Sequence, residues 1–102
     1  MRATGWSNGN PSPSGAGLGL RISKADRDRY FLPGWECLVL VLPGVVITVP
    51  LSASFWRTCT EFRSAALGRW LLQSGLAPWP KGAPPTVALL PIKDDRFALM
   101  PC

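Results

Sequence analysis

The 102-residue chain has no histidine, one tyrosine, and six acidic residues against eleven basic ones. Without an imidazole, no Ser-His-Asp constellation can form. Cys37, Cys59 and Cys102 are an odd set with no Cys-x-x-Cys pair. A four-ligand zinc site would therefore need carboxylates or a second chain, and free thiols in a reducing compartment are the simplest account. Cys59 reads as an apolar thiol facing the core. No Gly-x-x-x-x-Gly-Lys phosphate loop occurs. Gly15, Gly17 and Gly19 do not make a dinucleotide fingerprint, because they precede a strand pattern instead of following one. The N-terminus carries one Arg and no apolar core segment, so no secretory signal is visible and an intracellular, cytoplasmic or nuclear location is expected. Asp26, Asp28 and Glu61 read as helix-start or surface carboxylates, and Asp94 and Asp95 as turn residues. The chain is therefore expected to be non-enzymatic, with no metal and no other cofactor.

What the chain does have is apolar mass, with 47% hydrophobic residues, five Trp and four Phe. That is enough for one core in a chain of this length. Cys37 to Trp56 is an uncharged run of 20 residues, long enough to cross a bilayer as a helix. Pro43-Gly44 and Pro50 interrupt it, and a proline inside a helix costs roughly 3 kcal/mol. The flanking Val39, Val41, Val45, Val46, Ile47, Thr48 and Val49 are β-branched and favour strands. A β-hairpin, Glu36 to Leu42 and Val45 to Leu51, is the better reading, and membrane association through residues 37–56 the lesser one. Neither strand alternates polar with apolar residues, which predicts burial on both faces. Pro50 predicts a strand end or a sheet edge.

Residues 1–17, rich in Gly, Ser, Pro and Asn, read as a flexible tail, followed by a single domain over residues 18–102. Leu18, Leu20 and Ile22 alternate with Gly19 and Arg21 as a strand would. Ser23 with Asp26 three residues later is a helix start, ended by Pro33-Gly34. Phe55, Cys59, Phe62, Ala66 and Trp70, widened by Leu67 and Leu71, follow helical spacing and predict one amphipathic helix. It has start signals at Thr58/Glu61 and at Ser64, and a stop at Gly75. After a proline-rich loop over residues 78–85, Thr86 to Ile92 and Arg96 to Met100 read as paired strands. The predicted fold class is α+β: a small, partly closed β-barrel or curved antiparallel sheet with two helices.

The net charge of +5 suits a polyanion partner and simple solubility about equally. The basic residues fall into three groups. Arg21, Lys24, Arg27 and Arg29 surround a strand end and a short helix, with Asp26 and Asp28 opposing them. Arg57, Arg63 and Arg69 are six apart, which scatters them around a continuous helix as a solvated surface, although Arg57 precedes that helix and can join a patch. Lys81 lies beside Trp79, which is held between two prolines. Trp79 reads either as a stacking platform for a base or as a lid on the last helix turn near Trp70 and Leu76.

The element order, the Ile22-Ser23-Lys24-Ala25-Asp26 opening of a short helix, and Gly68-Arg69-Trp70-Leu71-Leu72-Gln73-Ser74-Gly75-Leu76 before a final hairpin resemble the DNA-binding pseudobarrels of plant transcription factors and of restriction-enzyme effector domains. In that family, loops and strand ends enter the major groove. The resemblance implies sequence-specific DNA binding over Leu18 to Met100, although this chain is short of predicted strands for a full barrel. The leading expectation is nucleic-acid binding through Arg21, Lys24, Arg27, Arg29, Arg57, Trp79 and Lys81. The alternative is a protein-interaction module that uses the hairpin, the last strand or the Pro-rich loop.

Overall fold

Serine caps and Pro/Gly turns cut the chain into ten elements. In a computed structural model, which describes residues 1–101, these are β1 (Arg2–Ser7), β2 (Leu18–Arg21), α1 (Lys24–Tyr30), β3 (Cys37–Leu42), β4 (Val45–Pro50), α2 (Ala53–Arg57), β5 (Glu61–Arg63), α3 (Ala65–Gln73), β6 (Thr86–Lys93) and β7 (Arg96–Pro101). Ser23, Ser52 and Ser64 each cap a helix, accepting a hydrogen bond from the backbone N–H of Asp26, Phe55 and Leu67, respectively. Each such cap is worth about 1 kcal/mol. Cys102 lies outside the described residues.

The strands form one seven-stranded, nearly closed barrel-shaped sheet in the order β4-β3-β7-β6-β1-β2-β5. All neighbours are antiparallel except β3 and β7, which are parallel. The edge strands β4 and β5 approach each other, and a cleft lined by Pro50, Ser52, Ser54, Glu61 and Arg63 marks the seam. The connections place α1 and α2 at one end of the barrel and α3 at the other. At the first end Phe31, just past α1, stacks on Phe97 at 5.1 Å and lies against Phe55 at 5.4 Å and Trp35 at 5.7 Å. Helix α1 buries none of its own residues, so Phe31 anchors it. Burying one such ring stabilises by roughly 1.5–3 kcal/mol. Tyr30 stays half-buried. At the other end α3 turns Leu67 and Leu71 into the core and stops at Gly75, which has φ 79°.

Several expectations hold. The hairpin turns at Pro43-Gly44, with Leu42 opposite Val45 and Gly44 at φ 76°. Strand β4 lies at a sheet edge, as Pro50 predicts. The last hairpin turns at Asp94-Asp95, with Lys93 opposite Arg96. Among the described residues no helix is long and apolar enough to cross a membrane.

Four expectations need correction. Residues 1–17 are not simply a tail, because Arg2–Ser7 is a strand paired on both sides, with β6 and with β2. Only Ala3 of that strand is buried, so no apolar alternation reveals it. The following loop is also fixed. Asn8 N–H donates to the Gly17 carbonyl at 3.0 Å, Ser12 N–H donates to the Ala16 carbonyl at 2.9 Å, and Gly15 lies directly on Gly68 of α3.

The described residues form three helices, not two. The predicted long helix is split, because Thr58 ends α2 and Thr60 is drawn into the sheet. The Thr60 hydroxyl donates to the Ile22 carbonyl, and Ile22 N–H donates back to the Thr60 carbonyl. Phe55, Phe62, Leu67 and Leu71 all reach the core, but from three elements, so helical spacing is satisfied without one helix.

The hairpin is buried on one face only. Leu38, Leu40, Leu42, Ile47 and Val49 point inward, whereas Val45, Val46 and Thr48 are exposed. Cys59 is exposed and does not face the core.

The contact between Gly15 and Gly68 is backbone against backbone, and a β-carbon at position 68 would collide with the Gly15 carbonyl. Gly68→Ala is therefore predicted to destabilise the fold by about 1–3 kcal/mol, despite the gain of about 1 kcal/mol in helix propensity. Urea denaturation measures the sign. An increase in stability would show that the loop does not dock on α3.

Candidate nucleic-acid interface

Side chains alternate across a strand, so β1, β2 and β5 expose one outer row each. The registers align these rows. Thr4 lies opposite Arg21, which lies opposite Glu61; Trp6 lies opposite Gly19, which lies opposite Arg63. Arg2, Arg21 and Arg63 are all exposed. Where the second row lacks a side chain, at Gly19, the Arg63 guanidinium lies 5.0 Å over the centre of the Trp6 ring. A β-carbon at Gly19 would press on the Phe62 carbonyl and on Arg63, so this glycine makes room for the stack. Such exposed cation–π pairs are worth about 0.5–1 kcal/mol.

At the lower edge of this surface, Arg2, Thr4, Arg21, Ile22, Ser23 and Asp26 line a shallow pocket of about 450 Å³. Lys24 follows on the exposed first turn of α1. The surface is not purely basic. Arg21 donates to the Glu61 carboxylate at 3.4 Å, and Asp26 borders the pocket. The Arg21–Glu61 pair is long and its arginine exposed, so it holds Arg21 with no more than about 1 kcal/mol.

The predicted basic residues separate. Arg21 and Lys24 belong to this surface. Arg27, expected with them in the basic group, does not. Its side chain is only 11% exposed, with Nε donating to Asp28 at 3.0 Å and Nη1 donating to the Phe55 carbonyl at 3.0 Å. It clips α1 to α2. Arg27 and Arg57 line a separate cleft of about 720 Å³ between those helices, with Phe31, Pro33 and Trp56. Arg29 is exposed and stacks on its neighbour Tyr30 at 5.3 Å.

Trp79 and Lys81 lie at the opposite end of the barrel from Lys24, together with Ser7, Gly9, Pro11, Leu18 and Pro78, around a cleft of about 460 Å³. Trp79 is half-buried, and its ring reaches Gly5 of β1. It is therefore a lid against β1.

Arg2, Trp6 and Arg63 are the members of the surface that sequence reasoning missed. The tail reading hid the first two, and the long-helix reading hid the third. The available signal was the alternation of Glu61 and Arg63 around Phe62, matching that of Gly19 and Arg21 around Leu20.

Comparison with protein-family models, with curated proteins and with solved structures returns no match.

The two lysine and arginine roles on α1 are separable. Arg27→Ala leaves the Phe55 carbonyl without its charged donor and is predicted to cost about 1.5–3 kcal/mol. Lys24→Ala, fully on the surface, is predicted to change stability by less than about 0.5 kcal/mol. Paired chemical denaturation measures both, and equal effects would contradict the clip.

Proposed function

We propose that the outer face of β1, β2 and β5 binds DNA without catalysis, inside the cell. The observation that carries this reading is the strand register, which collects Arg2, Arg21 and Arg63 beside Trp6 on one exposed surface. Three guanidiniums on adjacent strands, with Lys24 beyond them, suit a phosphate backbone, which is where most of the affinity for DNA arises. Arg also suits base edges in the major groove, where its planar fork bonds guanine at two atoms. Trp6 offers an aromatic face, and Thr4 a hydroxyl, in the same rows. The pseudobarrel resemblance also implies DNA binding, there through loops and strand ends. Here Asn8 to Pro13, between β1 and β2, is the loop next to the upper row.

The test is fluorescence anisotropy of the full chain with a mixed duplex library, across a salt series. Neutralising three or four phosphates predicts a loss of affinity of roughly 40- to 150-fold between 50 and 200 mM salt. Arg2→Ala, Arg21→Ala and Arg63→Ala are each predicted to flatten the salt slope by about one unit. Arg29→Ala and Arg57→Ala, away from the surface, leave it unchanged. Binding that ignores salt, or that depends on Arg57 and not on Arg21, contradicts the proposal.

A further inference from the structure

The other half of the barrel has an outer face of opposite character. Val46, Val41, Ala98 and Leu90 lie side by side in register across β4, β3, β7 and β6. The row is apolar throughout and crosses four strands without a polar side chain. Met100 lies one row away on β7, and Ile92 near the far end of β6. Val46 is 58% exposed, Ile92 54%, Met100 48% and Leu90 46%. Scattered exposed aliphatics are ordinary, but an aligned cluster on one face is a feature of docking surfaces.

We propose that this face docks a single amphipathic helix whose apolar stripe is flanked by acidic residues. Size and charge select that occupant. Three inter-strand spacings of about 4.8 Å make the row roughly 14 Å wide, and two steps of two residues along the strands give a similar length, so the patch projects to on the order of 200 Å². A helix with its side chains is about 10–12 Å across and fits it. A second copy of the chain does not, because each partner in a stable interface buries about 800 Å².

The charged side chains in the strand registers of this face are Arg2, Lys93 and Arg96, all basic, with Asp94 and Asp95 confined to the turn beyond. Arg2 pairs across to Ala88 at one border, and Arg96 pairs to Val39 at the other. Two copies would bring like charges together, whereas glutamates on either side of a Leu stripe would meet opposite ones. A lipid surface is disfavoured because these rows hold no Trp or Tyr between the two borders, and such rings are the usual interfacial anchors. The apolar row shares no residue with the proposed DNA surface, and Arg2 alone borders both.

The probe is a fluorescein-labelled 18-residue helical peptide with a Leu face flanked by Glu, titrated into the full chain. A counterpart with every Glu replaced by Lys serves as control. Saturable binding of the acidic peptide is expected, with the lysine peptide at least tenfold weaker. Leu90→Thr and Val46→Thr keep strand propensity while removing apolar surface, and each is expected to weaken binding about fivefold or more. Thermal melts establish that both variants are folded, and Arg21→Ala with Arg63→Ala should leave peptide binding intact. The proposal is overturned if the acidic peptide fails to saturate at millimolar concentration. It is equally overturned if the threonine variants bind as wild type, or if only the Arg21 and Arg63 variants lose binding. Sedimentation of the wild type as a dimer that Leu90→Thr dissociates would assign the face to a second copy. Adsorption to phosphatidylserine vesicles that Leu90→Thr abolishes would assign it to lipid.

Discussion

Everything else in this barrel depends on the pairing of β1 between β6 and β2. Without that strand the sheet separates into β4-β3-β7-β6 on one side and β2-β5 on the other. Its hold is mainly backbone. Leu89 N–H donates to the Met1 carbonyl at 2.8 Å, Gly5 N–H donates to the Pro85 carbonyl at 2.8 Å, and Thr4 to Ser7 run in register with Leu18 to Arg21. Hydrogen bonds contribute only about 0.5–1.5 kcal/mol each, but here they join two halves that each bury one face of a shared core. Ala3, which is fully buried, and Gly5, closed over by Pro85 and Trp79, let the strand lie close to that core. A larger residue at either position would push the halves apart.

The same strand sets the functional geometry. Its outer residues complete the basic surface, Arg2 below and Trp6 above, while Arg2 also borders the apolar rows on the other side. The barrel is closed differently at each end, by an aromatic cluster under α1 and α2 and by aliphatic packing under α3. These plugs let strands as short as β5 and β2, of three and four residues, hold their register. Register in turn decides which side chains share a face, because a one-residue slip would move Arg21 and Arg63 inward and Leu20 and Phe62 outward.

The features legible in the sequence were those with local causes. The Ser23 and Ser64 caps, the Pro43-Gly44 turn, the Asp94-Asp95 turn and the Gly75 stop each arise from a few neighbouring residues, and they gave the fold class. The features missed were decided by distant partners. Arg2–Ser7 carries one buried side chain and becomes a strand only because β2 and, far along the chain, β6 receive it. Glu61–Arg63 satisfied helical spacing and was pulled into the sheet by Ile22 and Leu20. Arg2, Trp6 and Arg63 belong to these two strands, so local pattern does not place them on the candidate surface, whereas Arg21 on β2 and Lys24 at the start of α1 have local causes. Val46 looks like core from composition alone; that its side chain faces outward beside Val41 follows from a register that only the assembled barrel defines.

The central claim is that a stretch of glycine- and serine-rich sequence supplies an interior strand of the sheet. Amide hydrogen exchange reads this residue by residue. Release of a central strand requires opening both neighbours, so the amides of Thr4, Gly5 and Trp6 should exchange as slowly as those of β2 and β6. Exchange of those three at free-peptide rates, with β6 and β7 still protected, would contradict the account and return Arg2 and Trp6 to a tail.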